Sequence, residues 1–597
     1  ISNRRRRCRR YRWPSARPHP PPPQPPSTTR RGPHLTGSRA GPHSDQSENT
    51  TGPPPAPRPA IPTAALPDGR LRPICRVTCV FLMLGTKISR LSCAKRMKRM
   101  ASIPCCACRH SKRSACIHRR SHFMRTERNY VNGRFVAPES DTFIVVHNPA
   151  TEAPFARVPA ATPADARAAV DAAAAAQKAW RKLPSAERAA YLHRFADALT
   201  ARASEIGAAL AQESGKSVED ASNEAVYAGQ ITRYHAEWAR RIEGEIIPSD
   251  TPDENLFLQR EPIGVVACLI PFNYPVYTLL RKVAPALIAG NTVVVRPSNH
   301  TPVSAFEIAK AADDAGFPPG VVNILAMDHA TAEALCTHPA VGMITLTGSV
   351  NAGRKVLDYC KANIAKPSLE LGGKTPAIIE PDADLERAAA ALVASKTTHC
   401  GQLCTAIERV YVHDSVHDRF VALLKEKMAA VRIGDRAEDA SRMGPLVSAS
   451  ARAHIHEMVE RAIAAGATLE TGGAIPAGPG FFYPATLLTG VRQDMEIVQE
   501  ETFGPIMPVL RYTTIDEAIA LANDHQFGLS SVLYTERYRT AMTVANAIEA
   551  GELYVNRTPA DPYQGFHAGW KRSGLGGDDG KHGMLEFTQT RLVVMKY

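Results

Sequence analysis

Four short stretches of this sequence carry residue types able to do chemistry. Gly401-Gln402-Leu403-Cys404 presents a thiol on a glycine-bearing turn. As a thiolate, a cysteine is a nucleophile, although a buried cysteine more often serves as a small apolar filler. Upstream, Glu370-Leu371-Gly372-Gly373-Lys374 sets an acid, a candidate general base, before paired glycines. Pro271-Phe272-Asn273-Tyr274-Pro275 pins an amide donor between prolines, and Glu500-Glu501-Thr502-Phe503-Gly504-Pro505 follows far downstream. Taken singly, each stretch is compatible with an ordinary loop. Their meaning depends on the elements that place them.

Those elements alternate. An apolar stripe at helical spacing over 163–183 (Ala166, Val170, Ala173, Ala176, Trp180, Leu183) predicts a helix. Ser185 is expected to cap a second one, with Leu192, Phe195, Leu199, Ile206 and Leu210 facing the core and a stop near Gly215. Short continuous apolar runs then alternate with helical stretches: 263–270, 292–295, 321–325, 343–347 and 377–379. Continuous runs imply strands buried on both faces, the mark of parallel βαβ winding. Open parallel sheets bind ligands beyond the carboxyl ends of their strands. The places to search are therefore 271–275, 296–299 and 347–349. A second α/β pattern fills 384–577, with helices over 384–396, 415–431, 450–465 and 515–523 and strands over 409–412, 506–510 and 531–534.

Composition narrows the function class. The chain has 597 residues and a formal charge of +14, which by itself suggests a polyanion partner. Residues 1–123, however, hold 26 basic and 3 acidic residues, whereas 124–597 hold 46 and 55. The larger body is mildly acidic, so nucleic-acid binding by it has no compositional support. Eight of the 13 cysteines also lie in the first 123 residues. Five in the body are too sparse for a disulfide framework, which suits a reducing compartment and a cytoplasmic location. No apolar run approaches the roughly 18 residues that a membrane span needs.

Residues 1–123 read as different text, with 19 of the 47 prolines, arginine runs and few acids. Disorder is expected, because such a segment buries too little apolar surface to offset chain entropy. The cluster Cys105, Cys106, Cys108, His110, Cys116 and His118 matches no standard zinc spacing. An arginine-rich presequence is an alternative. The simplest reading is that the natural protein begins at Met124, after which 130–135 reads at once as strand, turn, strand.

In this order and spacing, the four stretches resemble the aldehyde dehydrogenase superfamily over about 130–597. Within it, Ala236-Glu237-Trp238-Ala239-Arg240-Arg241, Gln564-Gly565-Phe566-His567-Ala568-Gly569-Trp570 and Gly580-Lys581-His582-Gly583 are similar to the lactaldehyde/glycolaldehyde branch. The resemblance implies an α/β fold: a Rossmann-like cofactor domain (124–240 and 262–372), a second α/β catalytic domain (373–580) and a small β oligomerisation arm (241–261 and 581–597). It implies that Cys404 attacks the aldehyde as a thiolate. Asn273 and the Cys404 backbone N–H would steady the alkoxide, and Glu370 would activate the water that hydrolyses the thioester. No metal is expected in this chemistry.

The cofactor implied is NAD or NADP. Pro271, Phe272, Thr347, Gly348 and Ser349 would line its site, the last three at a helix N-terminus facing the pyrophosphate. Glu501 would hold the nicotinamide ribose, with Phe503 near the ring. Arg296-Pro297-Ser298-Asn299 departs from the family's Lys-Pro-Ser-Glu. Loss of that acid removes repulsion of a 2′-phosphate, and Arg296 could pair with it, so NADP is expected to be tolerated.

Arg281, Thr405 and His567 are the positions the resemblance assigns to the substrate's hydroxyl end. The plainer readings of Arg281 and His567 are a solvated helix charge and a surface-loop histidine. Thr405 stands where the branch more often has Asn, and Arg281 would equally suit the carboxylate of a succinate-semialdehyde-type substrate. A non-catalytic structural protein on the same fold is the remaining alternative. Cys400 is expected to be core, with a disulfide to Cys404 as the other possibility. A homodimer or homotetramer is expected, acting on a small aldehyde without nucleic-acid or membrane partners.

Overall fold

The computed structural model describes residues 124–137 and 141–597. The expectations for 1–123, including disorder and the cysteine–histidine cluster at 105–118, lie outside the described residues.

Two sheets with mainly parallel cores organise the described body. In the first, strands Val265–Leu269, Thr292–Arg296 and Val322–Ile324 run out to one side. Strands Val341–Thr347 and Lys366–Glu370 run out to the other side of Val265–Leu269. All five are parallel. The hairpin Asn129–Val131/Arg134–Val136 and the short strand Gly574–Leu575 close the two edges antiparallel. The winding reverses beside Val265–Leu269, which opens a crevice beyond its carboxyl end.

Apolar runs became strands because both faces are covered. Val265–Leu269 is buried throughout. Helix Pro275–Ala289 is buried along its whole length, which accounts for its nearly continuous apolar text. It starts with Pro275 in the first turn and stops at Gly290, whose φ of 97° suits a residue lacking Cβ. The expected second helix is two: Ser185–Ala201 and Ala203–Ser214, broken at Arg202. Ser185 does not cap; its hydroxyl donates to the Ala239 carbonyl, tying the helix start to a later segment.

The second sheet orders Thr468–Thr471, Thr486–Thr489, Ile506–Tyr512, Ile407–His413, Thr375–Ile379, Ser530–Tyr534 and Glu552–Val555, antiparallel only between its first two strands. The run at 377–379 thus lies at the heart of this sheet rather than continuing the first. After it the chain returns. Gly574–Leu575 pairs with Lys366–Glu370 of the first sheet, and helix Gly580–Glu586 follows. A separate antiparallel sheet joins Glu245–Ile247, Glu254–Pro262 and Thr588–Lys596, leaving Ile246, Leu592, Val594 and Met595 exposed. Among the described residues no helix is long and apolar enough to cross a membrane.

Candidate active site

Strand Lys366–Glu370 belongs to the first sheet and Thr375–Ile379 to the second, so Leu371-Gly372-Gly373-Lys374 is the crossing between them. The paired glycines have a steric cause. A Cβ on Gly372 would lie 2.4 Å from Glu501 Oε2, and one on Gly373 would lie 2.4 Å from the Cys404 carbonyl oxygen. The Gly373 N–H donates to Glu501 Oε1 at 2.9 Å. Gly401 is similar: its φ is 73°, and a Cβ there would lie 2.4 Å from the Gly504 carbonyl oxygen. Three of the four stretches therefore touch backbone against backbone or carboxylate.

The thiol sits on a strained turn. His399 and Cys400 precede Gly401 with φ of 46° and 57°, left-handed conformations that cost on the order of 1–3 kcal/mol each. Cys400 is fully buried in the core of the second sheet. Buried Gln402 pins the turn, donating to the His399 carbonyl at 2.9 Å and accepting from the Val447 N–H at 2.9 Å. Asn273 Nδ2 donates to the Gln402 carbonyl at 3.0 Å, which brings the prolines' loop to the same point. An amide carries two hydrogens, so one donor remains for a ligand.

Cys404 Sγ lies 3.1 Å from Glu370 Oε1, and His567 Nε2 lies 3.0 Å from the same oxygen. Glu370 Oε2 accepts from the Thr347 hydroxyl at 2.7 Å. Behind His567, its Nδ1 meets Glu552 Oε1 at 2.8 Å. Burial opposes ionisation of Glu370, but the His567 charge outweighs it and holds the carboxyl well below its usual range. Burial likewise disfavours charge on His567, and Glu370, Glu552 and Asp561 reverse this, raising it well above the ordinary histidine value. Burial and then the Glu370 charge push the Cys404 thiol up, while His567 works against them. At rest the site is a thiol facing a carboxylate–imidazolium pair.

His567 is 1% exposed, so it is no surface histidine. Nor is Arg281 a solvated helix charge. It is buried, pairs with Asp561 and with Asp579 Oδ2 at 2.6 Å, donates to the Tyr277 hydroxyl at 2.9 Å, and stands 3.9 Å from Glu370 Oε2. Burial lowers its proton affinity, but these neighbours overcome that and keep the guanidinium charged. Its helix is anchored by Glu224, which accepts from the Val276 and Tyr277 N–H groups and pairs with Lys216 at 2.6 Å.

Two cavities meet at this point. One, of about 760 Å³, is lined by Pro271, Phe272, Arg296, Ser298, Glu501 and Phe503, among others. The other, of about 970 Å³, holds Arg281, Glu370 and Thr405 on its wall. Cys404, Asn273 and Thr347 line both. Thr347, Gly348 and Ser349 lead into helix Val350–Asn363, as expected, but three of their groups are already engaged, the Thr347 hydroxyl with Glu370. The Gly348 N–H donates to the Glu370 carbonyl, and the Ser349 hydroxyl caps its own helix through the Ala352 N–H. The remaining first-turn N–H groups have no helical acceptor and are the donors a phosphate would meet. Arg296 Nε is buried without a hydrogen bond. Asn299 is not on the cavity wall; its Oδ1 is buried without a partner. These groups fit a dinucleotide: spare donors at a helix start, a guanidinium with unused valence, and aromatic rings of Phe272 and Phe503 at 5.8 Å.

Several supporting residues escaped sequence reasoning. Glu408 is the main one. Buried, it accepts from Lys374 at 2.8 Å, Lys396 at 2.7 Å, the Thr502 N–H at 2.8 Å and hydroxyl at 2.6 Å, and the Phe503 N–H at 3.0 Å. It fixes the loop that carries Glu501 and Phe503. Lys355 and His329 also line the first cavity. Isolated charges at such spacings carry no sequence signal.

The sequence matches the aldehyde dehydrogenase family over residues 135–593. It is 45% identical over 469 residues to lactaldehyde dehydrogenase of Escherichia coli (strain K12), covering 78% of this chain and 98% of that one. A crystal structure of lactaldehyde dehydrogenase from Escherichia coli superposes with a TM-score of 0.78 at 44% identity, over 79% of this chain and 100% of its own. D-glyceraldehyde dehydrogenase (NADP(+)) of Thermoplasma acidophilum is 34% identical over 474 residues, 78% of this chain and 96% of that protein. With a thiol, a carboxylate and a dinucleotide-sized cavity at one point, and with these relatives, the chain belongs to the aldehyde dehydrogenase family, enzymes that oxidise aldehydes to carboxylic acids with NAD or NADP.

Proposed function

We propose that the chain oxidises a compact hydroxyaldehyde, of the lactaldehyde or glycolaldehyde kind, with Cys404 as nucleophile. The observation that carries this reading is that Cys404 lines both cavities, within 3.1 Å of Glu370. The aldehyde enters from the larger cavity, the Cys404 thiol gives its proton to the adjoining Glu370, which releases it to solvent, and the resulting thiolate adds to the carbonyl carbon. Asn273 Nδ2 and the Cys404 N–H receive the alkoxide, each such donor being worth about 3–4 kcal/mol. The nicotinamide, when bound in the smaller cavity, supplies the acceptor for the departing hydride. Glu370 then takes a proton from the water that cleaves the thioester, a task worth on the order of 10²–10⁴-fold. Burial and Glu408 push Glu501 up to about 8, and it stands beside Gly373 to accept from a ribose hydroxyl.

Charge balance supports a neutral substrate. Arg281 is matched by Asp561 and Asp579, Lys216 by Glu224, and Arg436 by Asp220 at 2.6 Å. A hydroxyl finds donors and acceptors there at little desolvation cost. One observation favours a semialdehyde instead. Arg557, on the same wall, donates to the Thr558 and Ala560 carbonyls and, among the described residues, pairs with no carboxylate. For the cofactor, Arg296 and Lys355 on the wall of the smaller cavity support use of NADP beside NAD. The exposed apolar residues on Thr588–Lys596 support a dimer or tetramer joined through that sheet.

A panel of aldehydes with both cofactors, followed by absorbance of the reduced dinucleotide, tests this. Lactaldehyde and glycolaldehyde should exceed succinate semialdehyde in kcat/KM. The reverse order would transfer the assignment to the semialdehyde reading, and an NAD preference above about a thousandfold would end the NADP reading. Activity surviving Cys404→Ala would overturn the whole mechanism.

A further inference from the structure

The three groups at the junction of the cavities also satisfy the demands of a metal site. One ligand atom each from Glu370, Cys404 and His567 lies within 4.8 Å of the other two. Tetrahedral zinc with bonds of about 2.0–2.3 Å needs ligand atoms roughly 3.3–3.7 Å apart. The Sγ–Oε1 and Nε2–Oε1 separations are 3.1 and 3.0 Å, within a few tenths of an ångström of that range, and Sγ and Nε2 lie within 4.8 Å of each other.

The surroundings of His567 point the same way. Its ring is 1% exposed, and Nε2 faces the trio without a well-aligned hydrogen bond. Its other nitrogen meets Glu552 at 2.8 Å. A carboxylate on the far nitrogen fixes tautomer and orientation and raises ligand basicity, the arrangement that supports metal-bound histidines. Thiolate, imidazole and carboxylate are a donor set suited to Zn²⁺ and unsuited to Mg²⁺ or Ca²⁺. Glu370 and Cys404 line the larger cavity, from which an ion and a fourth, water ligand can approach.

We infer that Cys404, Glu370 and His567 form a high-affinity site for Zn²⁺ that holds the enzyme reversibly inactive. Binding forms bonds from the metal to Sγ, a Glu370 oxygen and His567 Nε2. The thiol proton and the Nε2 proton pass to solvent. No redox change is involved. The metal occupies the sulfur that would attack the aldehyde, so inhibition competes with substrate and is relieved by a chelator.

The test is direct binding to the full chain in metal-free buffer, so its outcome is separate from the catalytic roles proposed above. Equilibrium dialysis with Zn²⁺ should show one more ion per chain in the unmodified protein than in Cys404→Ser, a difference that cancels any binding by residues 1–123. With Co²⁺ as probe, thiolate-to-cobalt absorption should appear and be absent from Cys404→Ser. Glu552→Gln, which leaves all three ligands in place, should weaken Zn²⁺ about 10–100-fold. His567→Asn should weaken it at least as much, with circular dichroism confirming the fold of both variants. Equal stoichiometry in Cys404→Ser would overturn the inference. So would unchanged affinity in a folded His567→Asn or Glu552→Gln protein.

Discussion

Replacing Gly373 with alanine tests how tightly the fold controls the chemistry. The added Cβ would lie 2.4 Å from the Cys404 carbonyl oxygen, against 3.4 Å for an ordinary contact. About 1 Å must therefore be found. Gly373 itself has an ordinary φ, so its own backbone tolerates alanine. The next neighbour, Leu529 Cβ, is already at 3.4 Å, so Gly373 has little room to retreat. The shift falls on the Cys404 carbonyl, which shares its Cα with the thiol side chain and with the N–H proposed as half of the oxyanion site. A misplacement of that size costs roughly 10²-fold, or about 2.7 kcal/mol of transition-state stabilisation. Overpacking costs a further ~1–3 kcal/mol of stability. The assay is kcat/KM for the aldehyde, beside dinucleotide affinity measured by fluorescence titration. The expected result is a hundredfold loss in kcat/KM with cofactor affinity changed far less. A folded variant within threefold of the unmodified enzyme would refute the argument that this contact registers the thiol.

Two further predictions rest on buried carboxylates. Lys374 and Lys396 hold Glu408 at about 2 despite its burial. Glu408→Gln leaves two buried ammonium groups short of charge, a loss of about 3–5 kcal/mol; the thermal midpoint should fall and the cofactor KM rise as the Glu501–Phe503 loop loosens, and unchanged values would show that the loop is held by something else. Glu501 titrates near 8, well above an unfolded glutamate near 4.3, so its contribution to stability is complete below about pH 4 and is lost as pH rises through about 8. Unfolding midpoints of Glu501→Gln relative to the unmodified chain should therefore climb between pH 5 and 8.5; a flat difference would contradict the raised value.

Much of this was legible because it depends on local text. Continuous apolar runs at 263–270, 292–295 and 343–347 predicted buried parallel strands, which the structure places at 265–269, 292–296 and 341–347, and Gly290 and Gly316 end helices through left-handed backbone that glycine adopts freely. Cys404, Glu370 and Asn273 were legible as a set because their motifs resemble a family. The break at Arg202 was not. It lies within a single amphipathic pattern, and both pieces pack against the same two helices, Val218–Ala236 and Val303–Ala315, so nothing in the periodicity marks where the chain bends.

The sequence by itself determined which residue types are available and which segments must be strand or helix, since periodicity and glycine placement act over a few residues. It also determined that the body is acidic and the basic charge lies elsewhere. Only the tertiary structure decided that Arg281 is neutralised by aspartates some 280 and 298 positions away, that His567 stands behind Glu370, and that Glu408 fastens the loop of Glu501. Those are encounters between distant segments in a low-dielectric interior, where one carboxylate a few ångströms away sets a charge state, and no local pattern encodes which one arrives.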